Sequence, residues 1–254
     1  MRLTFLGTGT STGVPTLACH CRVCESDDPR DKRTRTSVLL EYDGRVVVID
    51  TAPDFRAQAL RERVERLDAV VFTHAHVDHV MGLDDVRVFC FRQNAAIPIY
   101  ADAHTMENIR RIFKYVFDAD YPSGGIPKLE PHLIDGPFDL WGTQLVPLPV
   151  FHGQLPILGF RFGRAAYVTD FSTIPDSTMP LLEGLDVLIL DALRHKPHAT
   201  HSSVGQSLAL VERLKPRRTF FTHIAHELGH KETNAMLPAG VSLAYDGLKL
   251  EIEP

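Results

Sequence analysis

The sequence has no long hydrophobic run, no excess of positive charge and a single tryptophan. Its apolar stretches, such as Val187–Leu190, are strand-sized, whereas a membrane-crossing helix needs roughly 18 consecutive apolar residues. Met1–Gly9 carries one arginine and a four-residue apolar patch, too little for a secretory core. A soluble, cytoplasmic protein without a membrane partner is therefore expected. A net charge of −5 gives no overall basic field, so nucleic acid is not an expected partner, although Arg30, Lys32, Arg33 and Arg35 cluster into a local basic patch. Internal repeats, low-complexity tracts and Ser/Gly linkers are all missing, and residues 1–254 read as a single domain.

Cysteine is scarce, yet three of the four fall within Cys19-His20-Cys21-Arg22-Val23-Cys24. Residues this close do not bridge one another without strain, and in a reducing compartment the pattern reads as metal binding. The fourth, Cys90, lies in the apolar stretch Val88-Phe89-Cys90-Phe91 and reads as core. Histidine is abundant, with 13 residues, many in tight clusters.

Short apolar runs end in polar or glycine-rich turns throughout. Strands are predicted at Arg2–Leu6, Ser37–Tyr42, Arg45–Ile49, Ala69–Phe72, Ile97–Tyr100, Gln144–Val150, Gly159–Phe162, Ala165–Thr169, Val187–Leu190, Thr219–Phe221 and Lys249–Ile252. Asp43-Gly44 marks a tight hairpin between the second and third of these. Ala57–Arg66, Thr105–Val116 and Val204–Leu214 carry helical periodicity. Hairpins mix with crossovers, which favours two sheets flanked by helices over a singly wound α/β sheet. Phe117–Pro137, rich in Pro, Gly and Asp, reads as a long loop or lid beside the site.

The chemistry concentrates at strand ends. Thr73-His74-Ala75-His76-Val77-Asp78-His79 places four metal-ligand side chains just after the strand Ala69–Phe72. A loop can wrap them around a cation, whereas a strand would send neighbours to opposite faces. Imidazoles suit zinc, manganese or iron, and the carboxylate adds a harder ligand. The same grammar recurs where Gln144–Val150 leads to His152, Ala165–Thr169 to Asp170, Thr219–Thr222 to His223 and Arg45–Ile49 to Asp50.

His74-x-His76-x-Asp78-His79 followed by His152, Asp170 and His223 resembles the metallo-β-lactamase superfamily. The resemblance implies an αβ/βα sandwich, two mixed β-sheets flanked by helices in four layers, with a binuclear metal site at one edge. It implies that His74, His76 and His152 hold one divalent cation, that Asp78, His79 and His223 hold a second, and that Asp170 bridges both. Asp50 would orient the ligand loop by hydrogen bonds. Two cations about 3.5–4 Å apart can share a water and turn it into hydroxide near neutral pH, which points to a hydrolase. Lactam-hydrolysing members often replace the bridging aspartate with a softer ligand, so a lactamase is not expected.

Cys19, Cys21 and Cys24 supply three thiolates for a structural zinc, which wants four ligands. His226, three residues after His223, is the expected fourth. Together with Leu6-Gly7-Thr8-Gly9, Leu237-Pro238-Ala239-Gly240 and Tyr245-Asp246-Gly247, this resembles the phosphoribosyl 1,2-cyclic phosphate phosphodiesterase family of the carbon–phosphorus lyase pathway. That resemblance implies hydrolysis of a small cyclic phosphate by a metal-bridged hydroxide. In that family a histidine from a late loop assists; His201 is the best match, with His195 and His198 as competitors. Asp78 would also shuttle protons. His230 reads as a surface residue, and the Gly7–Gly13 stretch as a backbone frame for the site. Alternatives within the superfamily are a tRNA 3′-processing endonuclease, whose long basic insertion is missing here, and a carrier similar to the pyrroloquinoline quinone biosynthesis B protein. A homodimer is the default assembly.

Overall fold

A computed structural model describes residues 1–253 except 119 and 123. Among the described residues, fourteen strands form two seven-stranded sheets. The first contains β1 (Arg2–Gly7), β2 (Ser37–Tyr42), β3 (Arg45–Ile49), β4 (Ala69–Val71), β5 (Ile97–Ala101) and β6 (Leu129–Leu133), with the last strand, β14 (Lys249–Glu251), outside β1. The second runs β13-β12-β11-β10-β9-β8-β7 and comprises β7 (Phe138–Leu140), β8 (Thr143–His152), β9 (Leu155–Phe162), β10 (Ala165–Val168), β11 (Val187–Asp191), β12 (Arg218–Thr222) and β13 (Val241–Leu243). Each sheet is antiparallel at one side and parallel at the other: β3 to β6 are parallel neighbours in the first, β10 to β13 in the second.

Period-two alternation explains the layers. Leu3, Phe5, Val47 and Ile49 face the other sheet and meet Leu145, Phe160, Phe162 and Ile189 in a core between the sheets. The intervening Leu6 and Val48 face outward under α1 (Phe55–Glu62), α3 (Arg87–Gln93) and α4 (Ala103–Ile112). On the far side, Val150, Val168, Leu188 and Phe221 pack beneath α6 (Val204–Leu214). The result is the expected four-layer αβ/βα sandwich. The remaining helices, α2 (Val77–Val80), α5 (Lys114–Phe117) and α7 (His230–Met236), are short.

Several expectations need correction. The first helix starts at Phe55 and stops at Glu62, because Arg63 adopts a left-handed conformation (φ 55°) that ends it. Thr105–Val116 is two helices: Asp102 caps the start by accepting from the Thr105 N–H at 2.7 Å, and the chain breaks at Phe113. The expected loop Phe117–Pro137 contains β6, the edge strand beside β5; Pro131 is tolerated at an edge. Positions 119 and 123 of that loop lie outside the described residues. The basic patch dissolves: Arg33 is fully buried, while Arg30 pairs with Asp28 and Arg35 with Asp54. His230 is buried, with its Nδ1 3.4 Å from Arg33 Nη2. Among the described residues no helix is long and apolar enough to cross a membrane.

Candidate metal centre

The two sheets bring their strand ends together at one edge. Asp50 follows β3, Thr73 and His74 follow β4, Asp170 follows β10, and His223 follows β12. Leu158 of β9 donates its N–H to the Thr73 carbonyl at 3.0 Å, tying the ligand loop to the second sheet. Three of these residues leave their strands in the left-handed region, Asp50 at φ 65°, Asp170 at φ 57° and His223 at φ 55°. Such backbone is uncommon for residues with a Cβ and clusters at functional sites. Here it turns each side chain from the sheet into the gap between the layers. Gly82 closes the turn after α2 against the Asp50 loop; a Cβ there would lie 2.1 Å from the Ala52 carbonyl oxygen.

Asp50 is fully buried and organises the loop. Its carboxylate accepts from the Thr73 N–H at 2.8 Å, from the Thr73 hydroxyl at 2.7 Å and from His79 Nδ1 at 2.7 Å. Holding Nδ1 turns His79 Nε2 toward the centre. His74 Nδ1 lies 3.0 Å from the Thr73 hydroxyl, and His152 Nδ1 donates to the Thr200 carbonyl at 2.7 Å. The Nε2 atoms of His74, His79 and His223 are buried without a hydrogen-bond partner. Ring nitrogens are not left this way in a sealed interior unless something else occupies them.

Donors bound at about 2.0–2.2 Å to one tetrahedral ion sit roughly 3.3–3.6 Å from each other. His79 Nε2 lies 3.4 Å from Asp78 Oδ2 and 3.4 Å from Asp170 Oδ2; His223 Nε2 lies 3.1 Å from Asp170 Oδ1 and 3.7 Å from Asp78 Oδ2. This spacing fits a divalent cation among Asp78, His79, Asp170 and His223. His74, His76 and His152 pack beside it, with ring centroids 4.6 Å apart for the first pair and 5.1 Å for the second. Burial pushes all three of these imidazoles toward the neutral form that binds metal. Burial alone would raise Asp170 and lower His79, but the opposite charges dominate: Asp170 is held well below the usual carboxylate range and His79 well above the imidazole range.

The structure separates the three late histidines. His201 stacks on His223 at 4.7 Å and meets His152 edge-on at 4.6 Å, with Nδ1 2.8 Å from Asp191 Oδ2. His198 lies behind it, 5.2 Å from the His201 ring, and His195 is exposed. Asp191 was not foreseen. It ends β11 and is fully buried, so it repeats the strand-end pattern of Asp50 and Asp170 and was readable by the same rule.

A second cluster lies along the same loop. His226 Nδ1 is 3.1 Å from Cys19 Sγ and 3.5 Å from the sulfurs of both Cys21 and Cys24. All three thiols are free. Zinc with bonds of about 2.3 Å to sulfur and 2.0–2.1 Å to nitrogen would place S and N roughly 3.5 Å apart. Residues Gly7–Gly13 run between the clusters: the Ile224 N–H bonds the Thr8 carbonyl at 2.8 Å, and the Thr10 N–H bonds the Ile224 carbonyl at 3.1 Å. Cys90 is buried away from both, in the α3 core.

Comparison with known proteins places the fold in a family. The family described as "Beta-lactamase superfamily domain" matches residues 45–224. A solved structure described as a new diphosphatase from the PhnP family is 52% identical, with 99% of this chain and 98% of that one covered and a TM-score of 0.94. An octanoyltransferase from Porphyromonas gingivalis is 40% identical over 100% of this chain but only 52% of its own length. A coenzyme PQQ synthesis protein B from Xanthomonas axonopodis pv. citri is 29% identical over 62% of this chain and 54% of its own length. The chain thus spans about half the length of these curated relatives. With its strand-end histidines and aspartates in place, the chain belongs to the metallo-β-lactamase superfamily, in the PhnP family.

Proposed function

We propose that the protein is a phosphodiesterase that hydrolyses a small cyclic phosphate, a phosphoribosyl 1,2-cyclic phosphate or a cyclic nucleotide, with two divalent cations of zinc or manganese. The observation that carries this reading is the set of buried, unpartnered Nε2 atoms of His74, His79 and His223, the last two facing the carboxylates of Asp78 and Asp170. His74, His76 and His152 would hold one cation, Asp78, His79 and His223 the other, and Asp170 both. When bound, the cations supply Lewis acidity that neutralises phosphoryl oxygens and activates water. A relative described as a diphosphatase supports attack at phosphorus, because a diphosphate and a phosphodiester build up the same negative charge during displacement.

The chain's own groups do the rest. The buried Asp191 carboxyl, held well above the usual carboxylate range by burial, shares a proton with Nδ1 of His201, so that Nε2 can carry the proton it hands to the departing oxygen while Asp191 makes good the loss at Nδ1. Asp78 accepts and passes on the proton released on the attacking side. Asp50 fixes the ring of His79 without touching substrate. The cluster of Cys19, Cys21, Cys24 and His226 would carry a structural zinc that pins the N-terminal loop to the loop bearing His223, and its free thiols suit the cytoplasm. Octanoyl transfer is not assigned to this chain, which matches only 52% of the octanoyltransferase.

Metal-reconstituted protein is expected to turn over bis(p-nitrophenyl) phosphate and at least one cyclic phosphate, and His76→Ala to abolish both activities. Protein inert with every divalent metal would favour a non-hydrolytic carrier role.

A further inference from the structure

A cavity of about 320 Å³ lies between α7 and the edge strand β13, and none of the residues lining it belongs to either cluster of candidate metal ligands. Its size is at the lower end for small-molecule sites, which begin at roughly 300 Å³. Phe220, Leu243 and Leu248 give it an apolar floor. Ser242 pairs with Phe220 across β12 and β13, so the hydroxyl and the ring share one face of the sheet.

His230 forms the polar wall and is only 6% exposed. Its Nδ1 is turned inward, 3.4 Å from Nη2 of the buried Arg33. A guanidinium can only donate, so Nδ1 accepts and the imidazole proton sits on Nε2. Burial and the positive charges of Arg33 and Arg30 keep that ring neutral. Its place is fixed by the His230 N–H, which donates to Asp31 at 2.7 Å, and by the Tyr245 ring, which meets the imidazole edge-on at 5.6 Å. Nε2 therefore faces away from Arg33 and toward the cavity, and among the described residues no group accepts its proton. A donor on so buried a side chain is rarely left unmet. Two cations also line the cavity. Arg30 is held by Asp28 at 2.8 Å, whereas Lys231 has no hydrogen-bond or ion-pair partner among the described residues. The neighbouring carboxylates are taken: Asp31 faces Arg33 at 4.0 Å, and Glu232 pairs with Arg22.

We propose that this cavity binds an organic monocarboxylate, whose carboxylate accepts from Nε2 of His230 and faces the ammonium of Lys231 while its apolar body rests on Phe220 and Leu248. The groups turned to the cavity select this class. His230 and Lys231 offer only donors, so the ligand presents an acceptor. One unpaired cation matches one negative charge. An apolar floor suits an aryl or short alkyl body and disfavours a free phosphate, whose charge would lose its water there without a second cation to replace it. The proposal is independent of the phosphodiesterase reading.

The test is calorimetric and needs no turnover. Metal-loaded protein is titrated near neutral pH with 4-bromobenzoate, with 4-bromobenzamide as its uncharged counterpart, and with inorganic phosphate. The benzoate is expected to bind, and the amide to bind roughly tenfold more weakly for want of the charge. His230→Phe and Lys231→Glu are each expected to weaken the benzoate by roughly tenfold. His76→Ala is expected to leave its affinity unchanged, which separates this cavity from ligation at the metal centre. Lys231 is exposed, so its variant decides the matter even if His230→Phe fails to fold. In soaked crystals the anomalous signal of bromine is expected beside Phe220. No binding in solution, whatever the crystals show, equal affinity for the amide or tighter binding of phosphate would overturn the proposal. So would an unaltered affinity in Lys231→Glu, a weakened one in His76→Ala, or bromine found only elsewhere.

Discussion

At the scale of single residues, buried polar groups do two different jobs. Asp50 acts through another side chain: it holds Nδ1 of His79 and the backbone of Thr73. Removing such a partner typically costs about 10–100-fold in metal affinity. Asp50→Ala is accordingly expected to weaken metal retention by that factor in a chelator competition while the protein stays folded. His230 is buried with no part in either cluster. Burial, with the positive charges of Arg33 and Arg30, lowers its pKa to about 4 against the opposing pull of Asp28 and Asp31. The folded state therefore resists protonating it, whereas the unfolded chain takes the proton near pH 6.5. Its contribution is present above pH 6.5 and is lost as pH falls toward 4, by roughly 2–3 kcal/mol. Urea unfolding of His230→Gln at pH 7.5, 5.5 and 4.5 should show a shallower acid loss than the parent protein; parallel curves would refute this.

Among the elements, the strand ends were readable in the sequence and several edges were not. Runs such as Arg45–Ile49 and Ala165–Val168 are continuous apolar segments closed by an aspartate, and their parallel pairing follows from burial on both faces. The same rule covers Asp191, one residue past the apolar run Val187–Leu190. By contrast β6, Leu-Glu-Pro-His-Leu, has two polar residues and a proline among its five positions, and β7 and β13 are three residues each. Edge strands bury little, so their sequences carry little pattern. His201 could not be separated from His195 and His198 by spacing, since the distinction depends on Asp191 and on stacking against His223, contacts made across the fold. The turn after α2 offers a test at this scale. Gly82→Ala forces a Cβ against the Ala52 carbonyl and is expected to destabilise by about 1–3 kcal/mol, seen as a lower melting temperature and weaker metal retention. An unchanged melting temperature would mean that the turn yields freely.

Over the whole molecule, one short loop joins both clusters of candidate metal ligands. His223 and His226 are three residues apart, the first facing Asp78 and Asp170, the second facing Cys19, Cys21 and Cys24. The N-terminal segment threads between them through Thr8 and Thr10. Because thiolate sites are poorly formed in an unfolded chain, metal bound there stabilises the fold. Cys21→Ser is expected to lower the metal content by one ion per chain and the melting temperature clearly, with turnover per remaining folded molecule largely kept. Asp170→Ala is expected to do the reverse, losing turnover and active-site metal while melting shifts less. The most direct measurement is anomalous diffraction from zinc-loaded crystals. Two peaks roughly 3.5–4 Å apart on either side of Asp170, one beside His74, His76 and His152 and the other beside Asp78, His79 and His223, are expected. No peak there, or a single ion leaving either histidine group unliganded, would contradict a binuclear centre.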